Sequence, residues 1–195
     1  MILSRAKFWD QLGIRSSDLF APVLAVSNRT AKGQVIRARS FGADLWTGTI
    51  TLAPGGHDVI RARRALLMLA QQPGVMVVAG DATYRGPNRS TATLAAVAGD
   101  NRTLTIAGMD DAGLLMGNYI EVQRHFHTVT ADAVPDIAGR ITVEVMPHVE
   151  PSIPIGGKVE LTRPGFLAVV DNIRPAVFEN VLAGEASFSI TQVYQ

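Results

Sequence analysis

The stretch LWTGTITLAP, residues 45–54, places Leu45, Thr47, Thr49 and Thr51 on one face and Trp46, Gly48, Ile50 and Leu52 on the other. A period of two is the signature of a half-buried strand. Gly48 inside it predicts a bend or the close approach of another backbone. Comparable strand-length segments recur along the chain: APVLAVSNRT, GQVIRARSF, GVMVVAGD, TATLAAVAGD, RTLTIAG, NYIEVQ, HFHTVTA, GRITVEVMP, KVELT, GFLAVVDN and ASFSITQVYQ. In GQVIRARSF, Val35, Ile36, Ala38 and Phe41 alternate against Arg37, Arg39 and Ser40. Gly, Pro, Asn and Asp separate the segments at intervals of roughly 8–12 residues, the spacing of a sandwich or barrel. The expected fold is mainly β: a β-barrel or sandwich of many short antiparallel strands.

The period changes once. After Pro54-Gly55-Gly56, apolar residues recur at helical spacing, and Pro73 and Gly74 stop the run. One packing α-helix is expected over about residues 57–72. Val59, Ala62, Leu66, Leu69 and Ala70 would form its inner stripe, widened by Ile60 and Leu67. Asp58 suits the N-cap or the first turn. A second short helix is expected in SRAKFWDQLG near the N-terminus. A soft boundary near residues 80–87 divides the chain into 1–80, with the main helix, and 81–195, all β. The last strands could return to the first part and make one continuous domain.

Arg61, Arg63 and Arg64 crowd the helix start. A nucleic-acid arm would sit in a wider basic field with aromatic neighbours. Here 18 basic residues face 17 acidic ones, for a formal net charge of +1. A membrane-surface helix would carry bulky aromatics on its apolar face, and this one has none. The arginines are therefore expected to face water or a neighbouring subunit. No stretch approaches the roughly 20 apolar residues of a membrane-spanning helix. The first 20 residues have no signal-peptide pattern, so folding in a cytoplasm is expected. The absence of cysteine excludes disulfides, thiolate metal sites and cysteine nucleophiles.

Other chemical candidates are weak. His125 and His127 share a face of one strand, and His148 could join them as a third metal ligand. The plain reading is a pair of surface or half-buried histidines. His57 reads as a capping-region residue. Asp81, Asp100, Asp110, Asp111, Asp132 and Asp136 all lie in turn sequences, where carboxylates serve backbone turns. No phosphate-loop, G-x-S-x-G or H-E-x-x-H pattern occurs. Neither a catalytic residue nor a bound cofactor or metal is expected.

Taken in order, Trp46, Gly48, Arg64, Leu69 and Gly74, then Gly117, Tyr119, Ile120, Val129, Asp132, Asp136, Gly139, Val143 and Pro147, form an ordered pattern over residues 45–149. This pattern resembles the distal tail proteins and related minor tail proteins of long-tailed bacteriophages and gene transfer agents. It departs from them at Asn118, where an Asp is more usual, and at QQPG, which replaces a Gly-Arg type of stop. The resemblance implies a structural virion protein of the tail tip, assembled in the bacterial host. Such proteins form a homo-oligomeric ring, usually a hexamer, between the tail tube protein and the hub or baseplate protein. The tape measure protein and later the DNA pass through its channel.

In a ring, two different patches of one chain meet. Arg61, Arg63 and Arg64 are the candidate subunit contacts, and edge strands could extend into a neighbour's sheet. Within the same setting, a tail-tube or terminator ring protein is the nearest alternative. From another class comes a small carbohydrate-binding or adhesin-like β-module. That reading would want exposed aromatics, yet aromatic residues make up only 6% and Trp46 falls on a core face.

Overall fold

Along residues 45–52 the sequence alternation becomes a strand with one buried face: Trp46, Ile50 and Leu52 are buried, and the intervening threonines are half-buried or exposed. The computed structural model describes residues 1–21, 25–29, 35–39, 45–89, 91–150, 153–175, 178–179, 182–183 and 185–193. For 25–29, 35–39, 178–179 and 182–183 it describes the backbone alone, so the side-chain alternation expected over residues 35–41 lies outside the described residues.

The elements are β1 (Ile2–Leu3), β2 (Ile14–Phe20), β3 (Ala25–Arg29), β4 (Val35–Arg39), β5 (Thr47–Leu52), α1 (His57–Ala70), β6 (Met76–Ala79), β7 (Thr93–Val97), β8 (Thr103–Ala107), β9 (Tyr119–Val122), β10 (His125–Val129), β11 (Arg140–Met146), β12 (Val159–Glu160), β13 (Phe166–Arg174), β14 (Phe178–Glu179), β15 (Leu182–Ala183) and β16 (Ala186–Gln192). The N-terminal helical segment is two short 3-10 turns, Arg5–Lys7 and Trp9–Gln11, rather than an α-helix.

Two six-stranded sheets carry the fold, which is mainly β with one packing helix. The first has the order β1-β6-β13-β16-β5-β2, and the second β12-β9-β10-β11-β8-β7. β13 and β16, from the end of the chain, sit in the centre of the first sheet between strands from its beginning. Residues 93–160 thus form a module set between two halves of one sheet. β1 runs parallel to β6, an exception to the expected antiparallel pairing.

Neither sheet closes into a continuous hydrogen-bonded barrel; both curl. In the second, the outer strands come together through Val159 N to Ala92 O (2.9 Å), Leu94 N to Gly157 O (2.9 Å) and a bridge between Thr93 and Lys158. Leu94, Leu104, Ile106, Ile120, Val143 and Val159 fill the space within. In the first, Ser17 Oγ donates to Asp81 Oδ1 (3.2 Å), linking β2 to the segment that leaves β6. Phe8, Trp9, Ile50, Val77, Phe166 and Phe188 are buried in this sheet's own core.

The two modules share an aromatic junction. Trp46 Nε1 donates to Phe126 O at 2.7 Å. Its ring meets Phe126 and Tyr119 edge-on, with centroids 5.0 and 5.9 Å away. Phe126 in turn contacts Phe166 of the first sheet at 5.2 Å. Aromatic pairs at such separations add to the value of simple burial.

Candidate interaction surface

The helix buries the Ile60, Leu67 and Ala70 side of the expected face and turns the Val59 and Ala62 side outward. Its buried residues are Ile60, Arg63, Leu67 and Ala70, whereas Val59 is exposed and Leu66 and Leu69 are only half-buried. Gly56 is the N-cap, and Asp58 sits in the first turn. Arg63 therefore does not face water as expected. Its Nη1 donates to Ala53 O (2.5 Å), and its guanidinium lies against Gly13 and Gly55. A Cβ at Gly13 would collide with that guanidinium. Long basic side chains bury their stems readily when the head finds a carbonyl. Arg61 and Arg64 are exposed; Arg61 Nη2 pairs with Asp58 Oδ1 at 2.9 Å. Of the three candidate contacts, only Arg61 and Arg64 are placed to meet a partner.

Beside α1 runs an apolar groove of about 450 Å³, walled by Leu52, Ile60, Leu67, Met68, Ile173 and Ala186, with Arg64 along it. Met68 is 65% exposed.

Five residues of the ordered pattern, Gly117, Val129, Asp132, Asp136 and Gly139, lie together in a different feature. The connection from β8 to β9 and the connection from β10 to β11 run side by side as a ribbon. Met109 N donates to Gly139 O (3.0 Å), Leu114 and Ala133 exchange two hydrogen bonds, and Gly117 N donates to Val129 O (2.8 Å). Asp132 Oδ1 accepts from Met116 N (2.7 Å). Asp136 Oδ1 accepts from Ala138 N (2.8 Å) and Arg140 N (2.9 Å). Gly117 and Gly139 have φ of 87° and 67°, which glycine adopts without strain. These residues shape the ribbon, and their carboxylates serve backbone turns.

The ribbon leaves large apolar side chains in water. Leu115 is 63% exposed, Met116 72%, Val134 82% and Ile137 fully. Residues 109–118 and 130–139 hold Asp110, Asp111, Asp132 and Asp136 and no Lys or Arg. Clustered exposed apolar groups of this kind mark interaction surfaces. Sequence reading missed this because each side chain alone looks like an ordinary core residue.

The chain matches no family model and no curated protein.

The remaining candidates are placed as follows. Trp46 is buried at the junction. At Gly48 the expected close approach is present, since a Cβ there would lie 2.5 Å from Asp18 O. Gly74 has φ of 77° just after the helix. Tyr119 stacks on Phe126 at 4.9 Å. Pro147 O accepts from His127 Nδ1 at 2.9 Å. That ring is wholly buried, and burial lowers its pKa to about 4. His125 approaches Glu150 at 3.7 Å, and His148 takes a hydrogen bond from Arg102 Nε. The three histidines thus have separate partners, and no group of three metal-capable side chains occurs among the described residues.

A polar cleft of about 700 Å³ lies between the modules, lined by Arg5, Glu121, Arg124, Lys158, Glu160 and Arg163. Its charges are paired locally. Arg5 donates to the carbonyls of Arg163, Pro164 and Asp81 at 2.9–3.1 Å. Glu121 accepts from Gly165 N (2.8 Å) and Arg124 Nη1 (3.1 Å), while burial pushes its carboxyl above the usual range. Arg163 Nη2 meets Asp10 Oδ1 at 2.5 Å. This arrangement staples one module to the other.

Proposed function

We propose that the chain is a structural ring subunit at the distal end of a phage-type tail. It would join the tail tube to the hub or baseplate and surround the channel through which the tape measure protein and DNA pass. The observation that carries the reading is the ribbon: Gly117, Asp132, Asp136 and Gly139 shape a two-stranded connection whose exposed side chains are apolar. A ribbon built this way serves contact with another protein rather than chemistry. A modest net charge also suits a channel that DNA must leave, since dense phosphate contacts bind tightly. A sugar-binding module would need several aromatic faces open to solvent, whereas among the described residues Phe20 alone is exposed, and Trp46 and Phe126 lie inside the fold.

Native mass spectrometry of the purified chain, alone and with a tail tube protein, tests the reading. A closed ring of a fixed number of copies, near six, is the expected result. A chain that stays monomeric at all concentrations and with that partner would overturn it.

A further inference from the structure

We infer that the acidic ribbon of one copy seats in the apolar groove beside α1 of the next copy, forming a head-to-tail contact. The inference rests on the ring reading for its partner, a second copy of this chain. Its own support is the complementarity of two faces that the same chain carries.

One face is apolar with an acidic rim. Leu115, Met116, Val134 and Ile137 project into solvent among Asp110, Asp132 and Asp136, while Asp111 is held by Arg89 Nη2 at 2.5 Å. The other is apolar with a basic rim. The groove is walled by Leu52, Leu67, Met68 and Ile173, with Arg64 exposed along it, while Arg61 on the same helix is paired with Asp58. Arg64 makes no hydrogen bond or ion pair among the described residues, so its charge is available to a neighbour. The ribbon supplies side chains to fill a groove, and the groove supplies the countercharge.

Both faces belong to one chain but are different patches. Pairing one with the other is heterologous, and such contacts generate rings or open filaments depending on the rotation. Opposite potentials on the two faces also disfavour the ribbon-to-ribbon and groove-to-groove pairings that would end growth at a dimer.

The test uses the full chain and two readouts: assembly by native mass spectrometry, and folding by urea denaturation. Val134→Asp with Ile137→Asp should leave the urea midpoint unchanged and weaken association at least 100-fold. Arg64→Asp and Asp110→Arg should each weaken it about tenfold. Mixing those two variants, or combining both changes in one chain, should restore it. Unchanged assembly in the Val134/Ile137 variant would overturn the interface while leaving the ring reading standing. A lack of rescue when Arg64→Asp meets Asp110→Arg would overturn the pairing of these two faces. A wild-type chain that never assembles would remove the ring reading, and this interface with it.

Discussion

Trp46→Phe should cost far more stability than Trp9→Phe, although both tryptophans are buried in the same core. Trp46 donates to Phe126 O at 2.7 Å, across the junction between the two modules. Phenylalanine cannot donate, so a buried carbonyl loses its partner, at about 1–3 kcal/mol. The smaller ring also gives up part of two edge-on contacts at 5.0 and 5.9 Å, each pair being worth about 0.5–1.5 kcal/mol. Together these give a loss of about 2–4 kcal/mol. Trp9 meets Phe188 edge-on at 6.3 Å, but its Nε1 has no hydrogen-bond partner among the described residues. Removing that donor relieves an unpaired buried group, which offsets lost packing and leaves a net cost of about 1 kcal/mol or less. Each variant retains one tryptophan, so fluorescence reports from a known place. Urea denaturation followed by fluorescence and far-UV circular dichroism gives the comparison. With a slope of about 1–3 kcal/mol/M, Trp46→Phe should lower the midpoint by about 1–2 M. Equal costs at the two positions would refute the assignment of the junction hydrogen bond.

Two other outcomes follow from buried polar groups. His127 is held neutral, with its folded pKa lowered to about 4 against an ordinary 6.5. The unfolded chain therefore binds this proton first, and His127's contribution is present above pH 6.5 and lost as pH falls through about 4. A shift of that size corresponds to about 3 kcal/mol. Glu121, whose carboxyl is pushed up by burial, acts in the opposite direction. The informative quantity is therefore the difference in urea midpoint between wild type and His127→Asn at each pH, which should narrow or reverse between pH 6.5 and 4. Arg63→Ala should destabilise the fold by about 1–3 kcal/mol, because it empties a buried site and strips Ala53 O of its donor. Arg64→Ala should stay within about 0.5 kcal/mol, as exposed substitutions usually do; thermal melts of the two variants separate them.

The fold class was legible because alternation and turn residues carry it directly. Trp46, Ile50 and Leu52 lie on the face their spacing assigns, and Gly48 meets the backbone that its place in a strand implies. The helix was legible in extent but not in rotation. The expected face runs from Val59, Ala62, Leu66, Leu69 and Ala70 out to Ile60 and Leu67; the buried face is its Ile60, Leu67 and Ala70 side, with Arg63 added. What sets the rotation is tertiary. Gly13 and Gly55 leave room for a guanidinium, and Ala53 O is there to receive it. β2 was missed altogether. Its sequence, IRSSDLF, is too polar to read as a strand, yet it lies at a sheet edge and pairs only with β5. The ribbon was half legible. Its glycines and aspartates stood out as turn chemistry, but nothing local says that Val134 and Ile137 end up in water.

The edges of the sheets bear on how copies would meet. An edge strand with free backbone groups invites a partner strand, and folded proteins guard against this with short or charged edges. In the second sheet the outer strands β7 and β12 are brought together by the Thr93–Lys158 bridge and its flanking hydrogen bonds. In the first, β1 is two residues long. That leaves β2, with seven residues, as the long edge of the two large sheets. It carries Arg15, paired with Glu185, and Asp18, charges that oppose strand addition. Association through side chains of the ribbon and α1 faces no such obstacle. Salt separates the two routes. Contacts between exposed Asp and Arg residues are screened as ionic strength rises, whereas backbone hydrogen bonds of an added strand are much less so. Assembly through the ribbon should weaken steadily between 0.05 and 0.5 M salt, by about tenfold for a few screened pairs, and the Arg64→Asp chain, whose new acid repels the ribbon, should lose or reverse that dependence. Assembly that is indifferent to salt in both chains would place the contact on β2 instead.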